Sequence, residues 1–147
     1  MTVVRAALIQ SEWTGDQETM IDKNLGYGRQ AAEQGAQVVC FQEIFTTSYF
    51  CNVQDPAFYD AAEEIPHGPT IKRMIALARE TTMVVIAPIY EKVDEGTFYN
   101  TAAVIDAGGE FLGIYRKTHI PQVKGFWEKF YFRPGNLGYP VFDTAVG

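Results

Sequence analysis

The stretch Val38-Val39-Cys40-Phe41-Gln42-Glu43 decides the fold of this chain. Four apolar residues in a row, bounded by turn signals, predict a strand that is buried on both faces. The residues before it carry apolar side chains at helical spacing, so the local unit is strand, helix, strand. Ligand sites of open α/β sheets gather at the carboxyl ends of strands. Glu43 stands at such an end, where it is either a general base or a strand-terminal carboxylate that faces water or caps the next segment.

The rest of the chain predicts an α/β fold whose pattern changes after residue 96. We expect strands at 3–9, 36–41 and 83–90, with one helix that follows Asp16 and another that begins at Pro69. Beyond them, Ala107-Gly108-Gly109 lies between two apolar runs and predicts a hairpin, so antiparallel strands follow the parallel units. Pro140 cannot sit inside a central strand, and we expect a further strand to begin at Val141.

Composition excludes several classes of function. The chain has 147 residues, a net charge of −6 and 47% hydrophobic residues, which is typical of one globular domain. Without a basic patch, a nucleic-acid partner is not expected. No apolar run is long enough to span a membrane, and the N-terminus is typical of a strand and not of a signal peptide. Cys40 and Cys51 form neither a disulfide framework nor a metal site, so we expect a reducing cytoplasm and no metal.

Two further charged residues are candidates for chemistry. Lys117 follows a predicted strand, just as Glu43 does, and the two would meet at one rim if their strands were neighbours. Such a pair can serve acyl transfer, with the Glu relaying a proton and the Lys stabilising an oxyanion. The alternative is a surface ion pair that contributes ~0–1 kcal/mol. Glu128 lies among bulky aromatic residues and is either a desolvated functional acid or part of a charged face.

Several segments match one family in the right order over the whole chain. They are residues 6–10, 39–45, 68–70, 99–105, 113–121 and 128–136. Together they resemble the carbon–nitrogen hydrolase (nitrilase) superfamily, and within it the N-carbamoyl amidohydrolases. Residues 135–142 are more similar to β-ureidopropionase, whereas residues 127–132 are more similar to N-carbamoylputrescine amidohydrolase.

The resemblance implies a four-layer α-β-β-α sandwich and a Glu–Lys–Cys catalytic set that uses no cofactor. By this resemblance Glu43 is the general base, Lys117 stabilises the oxyanion, and Glu128 is a second glutamate that supports the site. His119 falls in the family's loop beside the pocket and is a candidate for substrate binding. Tyr49 is the other candidate for substrate binding.

The nucleophile is the one departure from the family's pattern. The family's cysteine lies on a strand-to-helix turn just after the point where this sequence stops, and neither cysteine of the chain matches it. Cys40 is most simply a small buried hydrophobic residue. Cys51 lies in a loop where it could be exposed, and His67 or His119 could activate it. We expect residues 1–147 to be the N-terminal part of a single carbon–nitrogen hydrolase domain.

The expected function is that of the complete protein. The resemblance implies hydrolysis of an N-carbamoyl amine or amino acid to the amine, ammonia and carbon dioxide. The partners would then be a small amide or ureido substrate and further copies of the same chain in a homo-oligomer. The alternatives are an aliphatic or ω-amidase of the same superfamily, or an inactive fragment or pseudoenzyme.

Overall fold

A mixed five-stranded sheet forms the centre of the computed structural model, which describes residues 3–147. The strands follow one another in chain order across the sheet, with β1 to β3 parallel and β3 to β5 antiparallel. Their bounds are β1 Ala6–Leu8, β2 Val38–Cys40, β3 Val84–Asp94, β4 Thr97–Ile105 and β5 Phe111–Arg116. The helices are α1 Gln17–Glu33, α2 Pro69–Thr81 and the single turn α3 Glu128–Tyr131. The predicted α/β class and the hairpin between β4 and β5 are confirmed.

Both predicted helices form where their capping signals stand. The Asp16 carboxylate accepts the Thr19 N–H at 2.9 Å, which satisfies one of the free donors at the start of α1. α2 begins at Pro69, and the carboxylate of Glu63 accepts the Thr70 N–H at 2.9 Å. Among the described residues, no helix is both long and apolar enough to cross a membrane.

The main core lies between the sheet and the helices α1 and α2. Alternate residues of a strand point to the same face, so Val85, Ala87 and Ile89 of β3 all meet the helices. On the helix side, Ile71 and Met74 of α2 are fully buried against them. The periodicity of the sequence therefore predicted this layer correctly.

The other face of the sheet corrects one expectation. β2 was predicted to be buried on both faces, but only Val39 is fully buried, while Val38 and Cys40 are half-buried. Leu8 of β1, on the same face as Cys40, is 83% exposed. The cause is that α1 and α2 cover one face only, so the apolar side chains of the other face are partly open.

The expectation of a strand at Val141 is wrong. Residues 138–147 form no strand, and they cross the open face of the sheet instead of extending its edge. The Tyr139 ring stacks on Tyr115 with 6.2 Å between centroids, and Phe142 packs so closely on Gly113 that a β-carbon there would clash. Side-chain packing on β5 thus replaces backbone pairing, which Pro140 also disfavours.

A second apolar cluster joins the two aromatic stretches of the sequence. The Phe50 ring lies edge-on to Tyr131 with 4.7 Å between centroids and stacks on Phe58 at 5.0 Å. Tyr90 of β3 contacts both Phe50 and Phe132. This cluster fixes the loop after β2 against α3, and so it holds the chain segments that carry Tyr49 and Glu128 next to each other.

Candidate active site

The carboxyl ends of β2 and β5 lie at the same edge of the sheet. β2 is parallel to β3, and two antiparallel pairings later β5 points in the same direction again. β2 and β5 are not neighbours, however, which corrects the condition set from the sequence. The chain after β2 runs along β3 toward the end of β5. Along this path the Phe41 N–H donates to the Ile86 carbonyl and the Phe45 N–H donates to the Pro88 carbonyl. Glu43 is thereby carried toward Lys117.

Three charged side chains meet at this edge. The Lys117 Nζ lies 2.7 Å from Glu43 Oε1 and 2.9 Å from Glu128 Oε2, so one ammonium bridges two carboxylates. The Tyr49 hydroxyl donates to Glu128 Oε1 at 3.0 Å. On the other side, Asn100 Nδ2 donates to Glu43 Oε1 at 2.7 Å. The result is one continuous chain of hydrogen bonds from Tyr49 to Asn100.

Exposure rises along this chain of charges. The Glu128 side chain is only 3% exposed, that of Lys117 is 30% exposed and that of Glu43 is 46% exposed. Glu128 is therefore a buried support, which needs partners because an unpaired buried charge is costly. Glu43 is open to solvent and can exchange a proton with a molecule that enters from outside.

The two carboxylates set the charge state of their neighbours. Burial disfavours the charge of the Lys117 ammonium, but hydrogen bonds to Glu43 and Glu128 favour it and raise the pKa of Lys117 overall. Burial, followed by the hydrogen bond to Glu128, raises the pKa of the Tyr49 hydroxyl. At neutral pH Lys117 is thus a cation, and Tyr49 remains a hydrogen-bond donor.

Backbone contacts hold Lys117 and Glu128 in place. The Lys117 N–H donates to the Asn100 carbonyl and its own carbonyl accepts the Gly135 N–H, both at 2.8 Å. Gly135 packs directly on the Arg116 carbonyl, where a β-carbon has no room. Glu128 begins α3, and the Trp127 N–H before it donates to the Cys51 carbonyl at 2.7 Å. The two charges are thus fixed by the backbone as well as by each other.

A sequence model of the family described as carbon-nitrogen hydrolase matches residues 5–147. The chain belongs to the carbon–nitrogen hydrolase family. This confirms the resemblance to the nitrilase superfamily, and the mixed α/β fold agrees with structures of that type.

Individual relatives support the same assignment. N-carbamoylputrescine amidase of Solanum lycopersicum is 39% identical over 97% of this chain and 47% of the relative. Citrullinase of Francisella tularensis is 35% identical over 98% of this chain and 50% of the relative. A crystal structure of a carbon–nitrogen hydrolase from Helicobacter pylori superposes with a TM-score of 0.89 at 33% identity, over 98% of this chain and 49% of that one. The chain thus spans about half the length of these relatives.

The two cysteines of this carbon–nitrogen hydrolase chain differ in burial, and neither lies in a surrounding that favours a thiolate. Cys51 is fully buried, which corrects the expectation that its loop could expose it. Burial raises the pKa of the Cys51 thiol to about 12, and the nearby Glu128 and Glu43 carboxylates act in the same direction. Cys40 is half-buried on the open face of the sheet, so it is less buried than expected. A nucleophile needs a thiolate, which the surroundings of Cys51 disfavour.

The histidines lie outside the chain of hydrogen bonds. None of the hydrogen bonds found within residues 3–147 involves the side chain of His67 or His119. His119 is exposed and lines a shallow cavity of about 400 Å³ with Lys129 and Pro134. The structure thus brings together Glu43, Lys117, Glu128 and Tyr49 of the predicted site residues, and it leaves His119 at the periphery.

Asn100 is the residue of the site that sequence reasoning missed. It was noted only as part of the family-like segment 99–105. The available signal was its polarity, because Asn100 is a buried amide in the middle of a strand whose other buried side chains are mostly apolar. Among the described residues, no group of three His, Cys, Asp or Glu side chains is arranged to hold a metal ion.

Proposed function

We propose that the complete protein hydrolyses the ureido group of an N-carbamoyl amine or amino acid through a Glu–Lys–Cys site. The observation that carries the proposal is the Lys117 ammonium held between Glu43 at 2.7 Å and Glu128 at 2.9 Å. Two of its three N–H groups are engaged by carboxylates, so the third is free to bind a substrate oxygen. The site thus offers a fixed cation beside an exposed base.

The proposed chemistry divides the work between these groups. A thiolate adds to the ureido carbon, and the third N–H of Lys117 stabilises the negative charge on the oxygen. Glu43, which takes the thiol proton when the thiolate forms, gives it to the nitrogen, so that the C–NH₂ bond breaks, ammonia leaves and a carbamoyl thioester remains. Glu43 then takes a proton from the attacking water, the C–S bond breaks, and the carbamic acid formed loses carbon dioxide to give the amine. Glu128 holds Lys117 in place throughout.

The proposal also requires a nucleophilic cysteine and a second sheet. Because Cys40 and Cys51 do not fit the nucleophile, the thiolate would come from a cysteine outside the 147 residues. Residues 1–147 would then be the N-terminal part of one hydrolase domain. The partly open apolar face of the sheet, with Leu8 exposed and Cys40 half-buried, supports a second sheet packed there in a four-layer sandwich. Tyr49, beside Glu128 at the rim, and His119 are proposed to contact substrate.

The similarity to two named relatives narrows the proposed substrate. N-carbamoylputrescine and citrulline, the compounds in the relatives' names, are both monosubstituted ureas with a charged far end. This shared ureido group favours a carbamoyl compound over a simple aliphatic amide. We further propose a homo-oligomer in the cytoplasm, which agrees with both described cysteines being free thiols.

The test is ammonia release by the product of the complete reading frame. N-carbamoylputrescine, N-carbamoyl-β-alanine, citrulline and butyramide form the panel, and wild type is compared with Glu43→Gln. We expect release from at least one ureido compound and a loss of roughly 10²–10⁴-fold in kcat/KM in the variant, because the general base is removed.

Glu95→Gln is the matched control, since Glu95 is an exposed carboxylate in the turn between β3 and β4. It should retain wild-type activity. If ammonia is released from butyramide alone, the proposal of a carbamoyl hydrolase is replaced by that of an aliphatic amidase. Equal activity of wild type and Glu43→Gln would remove Glu43 from the mechanism, and no release from any compound would favour a non-catalytic protein.

A further inference from the structure

Asn100 contacts both charged partners of the site with different atoms. Its side-chain Nδ2 donates to Glu43 Oε1 at 2.7 Å, and its main-chain carbonyl accepts the Lys117 N–H at 2.8 Å. Asn100 is 6% exposed and lies in β4 between β3 and β5. It therefore stands on a rigid strand, which positions side chains better than a loop does.

The orientation of the Asn100 amide is determined by chemistry. A carboxylate oxygen only accepts hydrogen bonds, so the group that faces Glu43 Oε1 must be the NH₂ and not the carbonyl of the amide. Lys117 Nζ donates to the same oxygen. Glu43 Oε1 thus accepts two donors, one charged and one neutral, from two neighbouring strands.

The two carboxylate oxygens of Glu43 consequently differ in their hydrogen bonds. Within residues 3–147, neither of the hydrogen bonds to the Glu43 carboxylate reaches Oε2, and the side chain is 46% exposed. Rotation of the carboxylate would break both contacts of Oε1. Oε2 therefore keeps its capacity to accept a proton from a substrate or a water that reaches this exposed side chain.

We propose that Asn100 is a positioning residue that fixes Glu43 Oε1, so that Oε2 is the oxygen that exchanges the proton. This inference rests on the proposed function and assigns a role within the same site. Lys117 reaches Glu43 through a long side chain that Glu128 also holds, whereas the Asn100 amide reaches it through a short side chain on a strand. Asn100 supplies the rigid contact that keeps the base in one orientation.

The experiment compares Asn100→Ala and Asn100→Asp with wild type in the product of the complete reading frame. For Asn100→Ala we expect kcat to fall roughly 100-fold, the size seen when a catalytic group is misplaced by about 1 Å, with little change in KM. A fall in kcat at constant KM is the result that a merely structural loss would not give. Asn100→Asp should lower kcat further, since it removes the amide donor and places a second carboxylate beside Glu43.

Three observations separate positioning from a merely structural role. Thermal unfolding of each variant reports on folding, and Asn52→Ala, an exposed asparagine, is the control that should match wild type. The ¹³C resonance of the Glu43 carboxyl group, assigned with Glu43→Gln, is compared between wild type and Asn100→Ala at one neutral pH. It should change position in the variant, because Glu43 Oε1 loses the hydrogen bond from Asn100 Nδ2.

The outcomes also distinguish this inference from the proposed function. Lower activity of Asn100→Ala with a raised KM and an unmoved Glu43 carboxyl resonance would overturn the positioning role. If the wild-type protein hydrolyses none of the compounds, the proposed function fails, and the carboxyl resonance alone decides whether Asn100 holds Glu43. A changed resonance in Asn100→Ala then supports the contact, and an unchanged resonance rejects it.

Discussion

Arg116 and Lys117 are consecutive cations at the end of β5, yet they face opposite sides of the sheet. Arg116 pairs in register with Thr101 and points to the helix-covered side. There its guanidinium donates to both oxygens of Glu91, at 2.8 and 2.6 Å, and lies 4.0 Å over the Tyr99 ring. Lys117 points to the open side and reaches its carboxylates there. Two residues of the same charge thus enter two unlike environments because side chains alternate along a strand.

The two ion-pair clusters differ in how completely their carboxylates are occupied. The side chains of Arg116 and Glu91 are 12% and 4% exposed, and Thr101 adds a third donor to Glu91 at 2.6 Å. Glu91 is thereby surrounded by protein. Glu43 is nearly half exposed, and within residues 3–147 both of its side-chain hydrogen bonds use the same oxygen. The comparison teaches that a satisfied, buried pair supports the fold, whereas a pair with one free oxygen at a solvent-facing rim is available for chemistry.

Lys117→Met gives the largest expected effect on activity. The variant removes the cation that bridges Glu43 and Glu128, so kcat/KM should fall by roughly 10³-fold through loss of oxyanion stabilisation. Steady-state hydrolysis of the preferred ureido compound is the measurement. Activity within a few-fold of wild type would contradict the assignment of the Lys117 cluster to chemistry.

Arg116→Met gives the largest expected effect on stability. It leaves the Glu91 carboxylate buried without its cation, which should lower the free energy of unfolding by about 3–5 kcal/mol. Urea unfolding measures the loss.

The double variant Glu91→Leu/Arg116→Met tests whether the unpaired charge of Glu91 causes this loss of stability. Replacing both charges with apolar side chains removes the unpaired charge, so stability should recover in part relative to Arg116→Met. If Arg116→Met is as stable as wild type, the Glu91–Arg116 pair does not support the fold.

Much of the fold could be predicted from local signals. The Asp16 cap, the proline at the start of α2 and the glycines between β4 and β5 each act over a few residues, and the structure contains all three features. The prediction of a strand at Val141 was wrong because the conformation of that segment depends on partners distant in sequence. Packing of Phe142 on Gly113 decided it, and no local pattern encodes such a contact.

The site was predictable by residue type and less so by geometry. Glu43, Lys117 and Glu128 stood out as charges at strand ends or among aromatic residues, and they do meet. The route of Glu43 along β3 did not follow from the sequence, because it depends on long-range backbone hydrogen bonds. Nor could the sequence show that Asn100 faces the site, since only the register of β4 places it there.

High pH should expose the smallest difference between the two clusters. The folded state raises the pKa of Lys117 above its ordinary value of 10.5, since its two hydrogen bonds to carboxylates outweigh burial. A cation of this kind contributes stability that is fully present below its unfolded pKa and is lost as pH rises through the folded pKa. The stability advantage of wild type over Lys117→Met should therefore be constant from about pH 7 to about pH 10 and shrink above it.

The effect is small because solvent screens a side chain that is 30% exposed. Urea unfolding of both proteins across this range isolates Lys117, since the other titrating lysines and tyrosines are common to both. Arg116→Met should show no such narrowing, because the Glu91 carboxylate raises the already high pKa of Arg116 further and keeps it charged. A difference between wild type and Lys117→Met that stays constant above pH 10 would mean that Glu43 and Glu128 do not favour the ammonium in solution.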